Sequence, residues 1–159
     1  MTKYQRAYAD AVDSTISVYS QTNTKAMSRV DPAKQVKYSK AMSPMSEILH
    51  RKPWVLTLFP TEAYAQDAEM SLREFEDFVY GATFADQDDP VRGWKEISRM
   101  QAKLVARLRG ADQVRIVGAG TDLTLSVKGR RFVNSDGKRN MPSGEVFAAP
   151  LANSAEGRV

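Results

Sequence analysis

The chain has no cysteine and a single histidine, His50. The first absence excludes disulfides, thiolate zinc sites and cysteine nucleophiles. The second excludes an HExxH zinc helix, and excludes Ser-His-Asp catalysis unless His50 itself serves. His50 stands beside Arg51 and Lys52 where a helix should end, so it reads as a surface residue and is assigned no role. No apolar run approaches the roughly 20 residues that span a bilayer. Met1-Thr2-Lys3-Tyr4-Gln5-Arg6 is not followed by a signal-type apolar segment, so no membrane is expected and the expected compartment is the cytoplasm. Charge of one sign is also scarce: 23 Lys+Arg against 19 Asp+Glu leave +4, which permits a nucleic-acid partner without requiring one.

Across 159 residues, 42% are hydrophobic and 26% charged, the balance of a folded domain with a core rather than of a disordered chain. Residues 3 to 12 read as a short helix, and the alternating Thr15-Ile16-Ser17-Val18-Tyr19 as a strand. Asp31-Pro32 opens a helix towards Leu49, with Asp as cap and Pro where its missing N–H costs nothing; a break is expected near Pro44. Trp54-Val55-Leu56-Thr57-Leu58-Phe59 is a nearly continuous apolar run, which suits a strand covered on both faces. Strand, helix, strand thus predicts a βαβ piece of a parallel sheet.

Thr61 to Met70 reads as a short helix or structured loop, and Ser71-Leu72-Arg73-Glu74 as a capping box opening a helix whose apolar face is Leu72, Phe75, Val79 and Ala82. Asp89-Pro90 starts another, with Trp94, Ile97, Met100, Leu104, Val105 and Leu108 as its predicted buried stripe and Gly110 as its stop. The period then changes. Val114-Arg115-Ile116-Val117, Leu123-Thr124-Leu125-Ser126-Val127 and Arg131-Phe132-Val133 alternate as strands, and Asp136-Gly137 signals a tight turn. The fold class is α/β: the end of a parallel-sheet domain over residues 1–111, followed over 112–159 by the β-rich start of a second one.

Several groups of residues could carry chemistry. Glu145 lies between the turn Pro142-Ser143-Gly144 and the short apolar run Val146-Phe147-Ala148, a setting expected to hold its carboxylate still and partly dry. Such a place suits a metal ligand, but on composition alone a carboxylate that merely caps or braces a turn is the better reading. Gly118-Ala119-Gly120 follows a strand, but Leu123 stands at the third glycine position and β residues follow, so a dinucleotide-binding turn is rejected. Thr121-Asp122 reads as a side-chain cap of a hairpin turn. Lys95, Arg99, Lys103 and Arg107 recur every fourth residue and, with Lys128, Arg130, Arg131, Lys138 and Arg139, could face phosphates; without interleaved aromatics a solvated helix face is the better reading. Glu74, Glu76, Asp77, Asp86, Asp88 and Asp89 likewise read as a solvated face plus helix-start acids, and the methionines as core filler.

The stretch Asn140-Met141-Pro142-Ser143-Gly144-Glu145-Val146-Phe147-Ala148-Ala149-Pro150, with Gly120-Thr121-Asp122-Leu123 and Phe59-Pro60-Thr61-Glu62-Ala63-Tyr64-Ala65-Gln66-Asp67-Ala68-Glu69-Met70-Ser71 upstream, resembles the aminopeptidase T / aminopeptidase S family of two-metal aminopeptidases. The matches keep the family's order from about Asn23-Thr24-Lys25-Ala26-Met27-Ser28 to the end, although Ala148 stands where the family more often has threonine. The resemblance implies removal of N-terminal residues from peptides by a metal-activated water, two divalent ions (zinc or cobalt) and a homodimer. It makes Glu145 a metal ligand and places the remaining ligands beyond Val159, so that this chain would be an internal piece, inactive alone. The alternative is a non-enzymatic α/β module that binds an anionic partner through the Lys95, Arg99, Lys103 and Arg107 face; a scaffold or oligomerisation fragment is a third possibility.

Overall fold

The computed structural model describes residues 2–159, and the chain divides into two units: Met1–Pro90 with Gly137–Pro142, and Val91–Asp136 with Ser143–Val159. The architecture mixes helices and a parallel strand pair with antiparallel strands that follow, which is the α/β class expected.

In the first unit, helix α1 (Lys3–Ala11) starts on a reciprocal box in which the Thr2 hydroxyl accepts from the Gln5 amide and the Gln5 side chain accepts from the Thr2 N–H. Strand β1 (Thr15–Tyr19) leads by a loop to α2 (Pro32–His50), whose cap Asp31 accepts from the Ala33 N–H at 2.8 Å. Strand β2 (Trp54–Leu58) pairs with β1 in parallel from Thr15↔Trp54 to Tyr19↔Leu58, completing the βαβ unit.

The break expected at Pro44 does not occur: α2 runs through it. Proline there removes one backbone donor, and the carbonyl that loses its partner belongs to Lys40, which is exposed and open to water. The Ser43 hydroxyl also donates to the Glu47 carboxylate at 3.0 Å across the same turn.

The second edge of β2 is engaged as well, since the Leu56 N–H donates to the Arg139 carbonyl at 2.8 Å and the Met141 N–H to the Leu56 carbonyl at 2.9 Å. β2 is half-buried along its length rather than covered on both faces, while β1 beside it is largely exposed, Ile16 at 78%. Helices α3 (Glu62–Asp67) and α4 (Leu72–Thr83) pack on each other, burying Ala65 and Val79. The predicted capping box is present: the Ser71 hydroxyl accepts from the Glu74 N–H, and the Glu74 carboxylate accepts from the Ser71 N–H and hydroxyl.

The second unit takes in helix α5 (Pro90–Leu108) from Val91 onward. Its buried stripe is rotated from the expected one. Trp94, Ile97, Val105 and Leu108 face inward as predicted, but Met100 and Leu104 are 62% and 46% exposed, and Gln101 occupies the inner position at 6%. Residues 94, 97, 101, 105 and 108 keep the helical period better than a set containing 100 and 104, and the Gln101 amide nitrogen finds two carbonyl acceptors on that side.

Strands β3 (Gln113–Gly118) and β4 (Thr121–Ser126) form a hairpin turned at Gly120, where φ is +78°, and β7 (Glu156–Arg158) adds to β4. Gly157 makes that addition possible, because a Cβ there would stand 1.9 Å from the Asp122 carbonyl oxygen. The expected strand Arg131-Phe132-Val133 is displaced towards the C-terminus: the Arg130 N–H closes a turn onto the Val127 carbonyl, and β5 (Val133–Ser135) begins only where β6 (Glu145–Phe147) supplies a partner. No helix among the described residues is long and apolar enough to cross a membrane.

One side chain fixes how α1 meets the end of α2. The Lys52 ammonium donates to the carbonyls of Ala9 at 2.7 Å, Asp10 at 3.0 Å and Val12, supplying a positive charge where the α1 dipole is negative. Lys52→Met keeps the stem and removes these donors; it is expected to cost about 2 kcal/mol of stability, measured as a shift in the urea midpoint with unchanged slope.

Candidate functional site

Glu145 is the first residue of β6, opposite Ser135 of β5. The loop between them is closed by short polar contacts. The Ser135 carbonyl accepts from the Gly144 N–H at 3.0 Å and from the Ser143 hydroxyl at 2.9 Å, and the two serine hydroxyls lie 2.6 Å apart. Gly144 has φ +107°, a conformation that L side chains rarely adopt, so the chain can enter β6 at this angle only through glycine.

Helix α5 reaches the strand pair from its inner face. The Gln101 Nε2 donates to the carbonyl of Glu145 at 2.5 Å and to that of Ser135 at 3.3 Å. The Asn134 Nδ2 donates to the Ser98 carbonyl at 3.0 Å, and the Ser98 hydroxyl to the Asp136 carboxylate at 2.7 Å. The main chain of Glu145 is thereby anchored on one side by strand pairing and on another by a buried amide. Its side chain is exposed, not partly dry as expected, because the polar contacts of this corner engage its carbonyl and leave the carboxylate outside.

Among the described residues no group of three or more histidine, cysteine, aspartate or glutamate side chains converges on one point. Glu145 is therefore a single carboxylate, and a metal centre does not fit these residues alone. His50 is exposed and lies against Trp54, ring centroids 5.6 Å apart. Lys95, Arg99, Lys103 and Arg107 are exposed along α5. Of the acidic residues, Asp77 and Asp86 line one open pocket with Tyr80 and Ala85.

Asp122 is not a turn cap. It lies within β4, one diagonal from Arg115 of β3, and the two form a forked pair with Nε–Oδ1 and Nη2–Oδ2 both 2.8 Å. This pair holds the Asp122 carboxyl below the ordinary aspartate range and raises the Arg115 guanidinium.

The segments 23–28 and 59–71, far apart in sequence, meet in space. The Lys25 ammonium reaches the Asp67 carboxylate at 3.2 Å, and hydrogen bonds from Thr24, then Lys25, lower the Asp67 pKa. The Thr61 hydroxyl donates to the Gln21 carbonyl at 2.7 Å, and the Tyr64 hydroxyl accepts from the Gln21 N–H at 3.2 Å. These residues tie the exit of β1 to α3, a structural task.

Gln101 is the residue at this corner that sequence reading passed over. Its signal was present, since the spacing 94, 97, 101, 105, 108 puts a polar residue inside an apolar stripe.

The class to which this arrangement belongs follows from comparison with known proteins. Residues 1–159 match the family described as thermophilic metalloprotease (M29), and the chain belongs to that family. Similar proteins include aminopeptidase T of Thermus thermophilus, 31% identical over 121 residues that make up 67% of this chain and 28% of that protein. Aminopeptidase 2 of Geobacillus stearothermophilus is 28% identical over 126 residues, 69% of this chain and 30% of that protein. The matched region thus spans under a third of the length of either relative.

The Arg115–Asp122 pair gives a pH signature. Because the folded carboxyl is depressed, its contribution to stability is fully present above the ordinary aspartate value of 3.8 and is lost as pH falls through the lower folded value. Asp122→Asn is expected to melt below the parent chain at neutral pH, the gap closing as the solution is taken below 3.8. Thermal melts of both proteins across that range check this.

Proposed function

We propose that this chain is a section of a metallo-aminopeptidase that releases N-terminal residues from peptides, with Glu145 as one ligand of a site for two divalent ions. The observation that carries this reading is the match to a metalloprotease family along residues 1–159, joined to relatives named as aminopeptidases. In this reading residues 1–111 close an N-terminal α/β domain and residues 112–159 open the catalytic one. The complete enzyme is a cytoplasmic homodimer using zinc or cobalt.

The metal would lower the pKa of a bound water and polarise the scissile carbonyl. What these 159 residues contribute is placement: β5, β6 and α5 fix the main chain at Glu145 and leave its carboxylate facing outward. In this reading the other ligands come from polypeptide outside the described residues, among which no cluster of three ligand side chains forms. The open faces of β1, Ile16 and Val18 among them, fit a chain that packs against further structure. The basic residues of α5 lie along an exposed face, as a solvated helix does, and no observation favours an anionic partner for them.

Two experiments test the reading. In the complete enzyme, Glu145→Gln is expected to lower bound metal and aminopeptidase turnover together; full metal occupancy in that variant would overturn the ligand role. The 159-residue chain alone is expected to show no turnover with added zinc or cobalt. Turnover that Glu145→Gln abolishes would mean that the chain carries a complete site.

A further inference from the structure

On the side of β1 away from β2, no strand lies beside it among the described residues. Successive residues of a strand in a parallel pair turn their main-chain N–H and C=O to opposite edges. The Thr15 N–H donates to the Pro53 carbonyl and the Tyr19 carbonyl accepts from the Phe59 N–H, so residues 15, 17 and 19 face β2. Ile16 and Val18 therefore turn their main-chain groups outward, and no described residue bonds them. Their side chains are exposed as well, at 78% and 54%.

The opposite edge of the pair shows what such groups take. Leu56 is the outward-turned residue of β2, and the extended segment 139–141 closes on it: the Leu56 N–H donates to the Arg139 carbonyl, and its carbonyl accepts from the Met141 N–H. Nothing of the kind closes β1. Strands that end a sheet are ordinarily guarded by charge, proline, a bulge or shortness. β7 follows that rule, with three residues of which Glu156 and Arg158 are charged. β1 does not: Thr15-Ile16-Ser17-Val18-Tyr19 has no charge, no proline and an unbroken register.

From this geometry we infer that β1 is an inner strand of the complete protein, and that its open edge takes an extended segment of the same polypeptide from outside residues 1–159, bonded to the main chain at Ile16 and Val18. Two observations choose this occupant over a second copy of the chain. β1 and β2 are parallel and separated in sequence by α2, and parallel sheets are built of several strands with both faces covered, which a pair does not supply. The matched region is under a third of the length of either relative, so a protein of their size has polypeptide for further strands. The inference uses strand geometry and family membership, and needs neither a metal nor the assignment of Glu145.

The test uses the complete protein and reads the exchange of single amides by mass spectrometry with electron-transfer fragmentation. The Ser17 amide, which faces β2, is the internal standard. The Ile16 and Val18 amides are expected to exchange within about 10-fold of it, as members of one cooperative sheet. Proline at position 18 removes an outward N–H, which an edge strand tolerates and an inner strand does not. Val18→Pro is accordingly expected to lower the melting temperature by several degrees. A photoreactive benzoylphenylalanine in place of Ile16 is expected to crosslink within one chain, to a peptide outside residues 1–159. Fast exchange at Ile16 and Val18 beside a slow Ser17 would leave the edge open to solvent and overturn the inference, as would a parental melt of Val18→Pro. A crosslink to a second copy, or to a peptide within residues 1–159, would give the edge another occupant and overturn it too. A native product no longer than 159 residues would do the same. If Val18→Pro does not fold, exchange in the parent decides. None of these readouts depends on bound metal, so failure here leaves the reading of Glu145 where it stands.

Discussion

The apolar residues enclosed by this chain are Ala9, Ala65, Val79 and Val127, all small, and no large side chain among the described residues is fully buried. Burial of apolar area is the main favourable term in folding, and small side chains supply little of it. Elements that cannot be held by a thick core must be held at particular backbone groups. Lys52 gathers the carbonyls at the end of α1, Gln101 joins β5 and β6 to α5, and Thr61 with Tyr64 ties the exit of β1 to α3. Each is a side chain reaching a backbone atom at least 34 residues away, so each fixes tertiary position and not merely a local turn.

Helix starts were the most legible feature of the sequence, because a cap is decided within four residues. Asp31 before Pro32 and Ser71 before Glu74 do in the structure what those residue types do at any helix start. The parallel pairing of β1 and β2 was legible from the intervening helix, since strands so connected have room to run the same way. What failed depended on partners distant in sequence. Met100 and Leu104 are apolar and were assigned inward, yet Gln101 is the buried one, because the carbonyls of Ser135 and Glu145 wait on that side of α5. Asp122 resembled a turn residue until Arg115 proved to be its neighbour across the hairpin.

The same limit applied to Glu145. The motif around it was legible, since the whole chain matches the metalloprotease family, whereas the state of its side chain was not. A proline and glycine turn before an apolar run suggested enclosure, but the run is short, and in the strand Val146 turns inward while Glu145 and Phe147 remain exposed. Alternation along a strand decides which of two adjacent residues is covered, and the pattern Glu-Val-Phe leaves either face possible until β5 sets the register.

On the proposed reading of Glu145 as a ligand, the resulting division is physically sensible. The exposed carboxylate stays accessible to a partner arriving from outside these elements. Freedom of the side chain alone would carry an entropic cost at the moment of binding. Fixing the backbone beneath it through β5 and the α5 amide removes part of that freedom in advance, leaving only the side-chain torsions to be settled on binding. Chemical readiness thus comes from exposure of one half of the residue, and geometric readiness from the anchoring of the other.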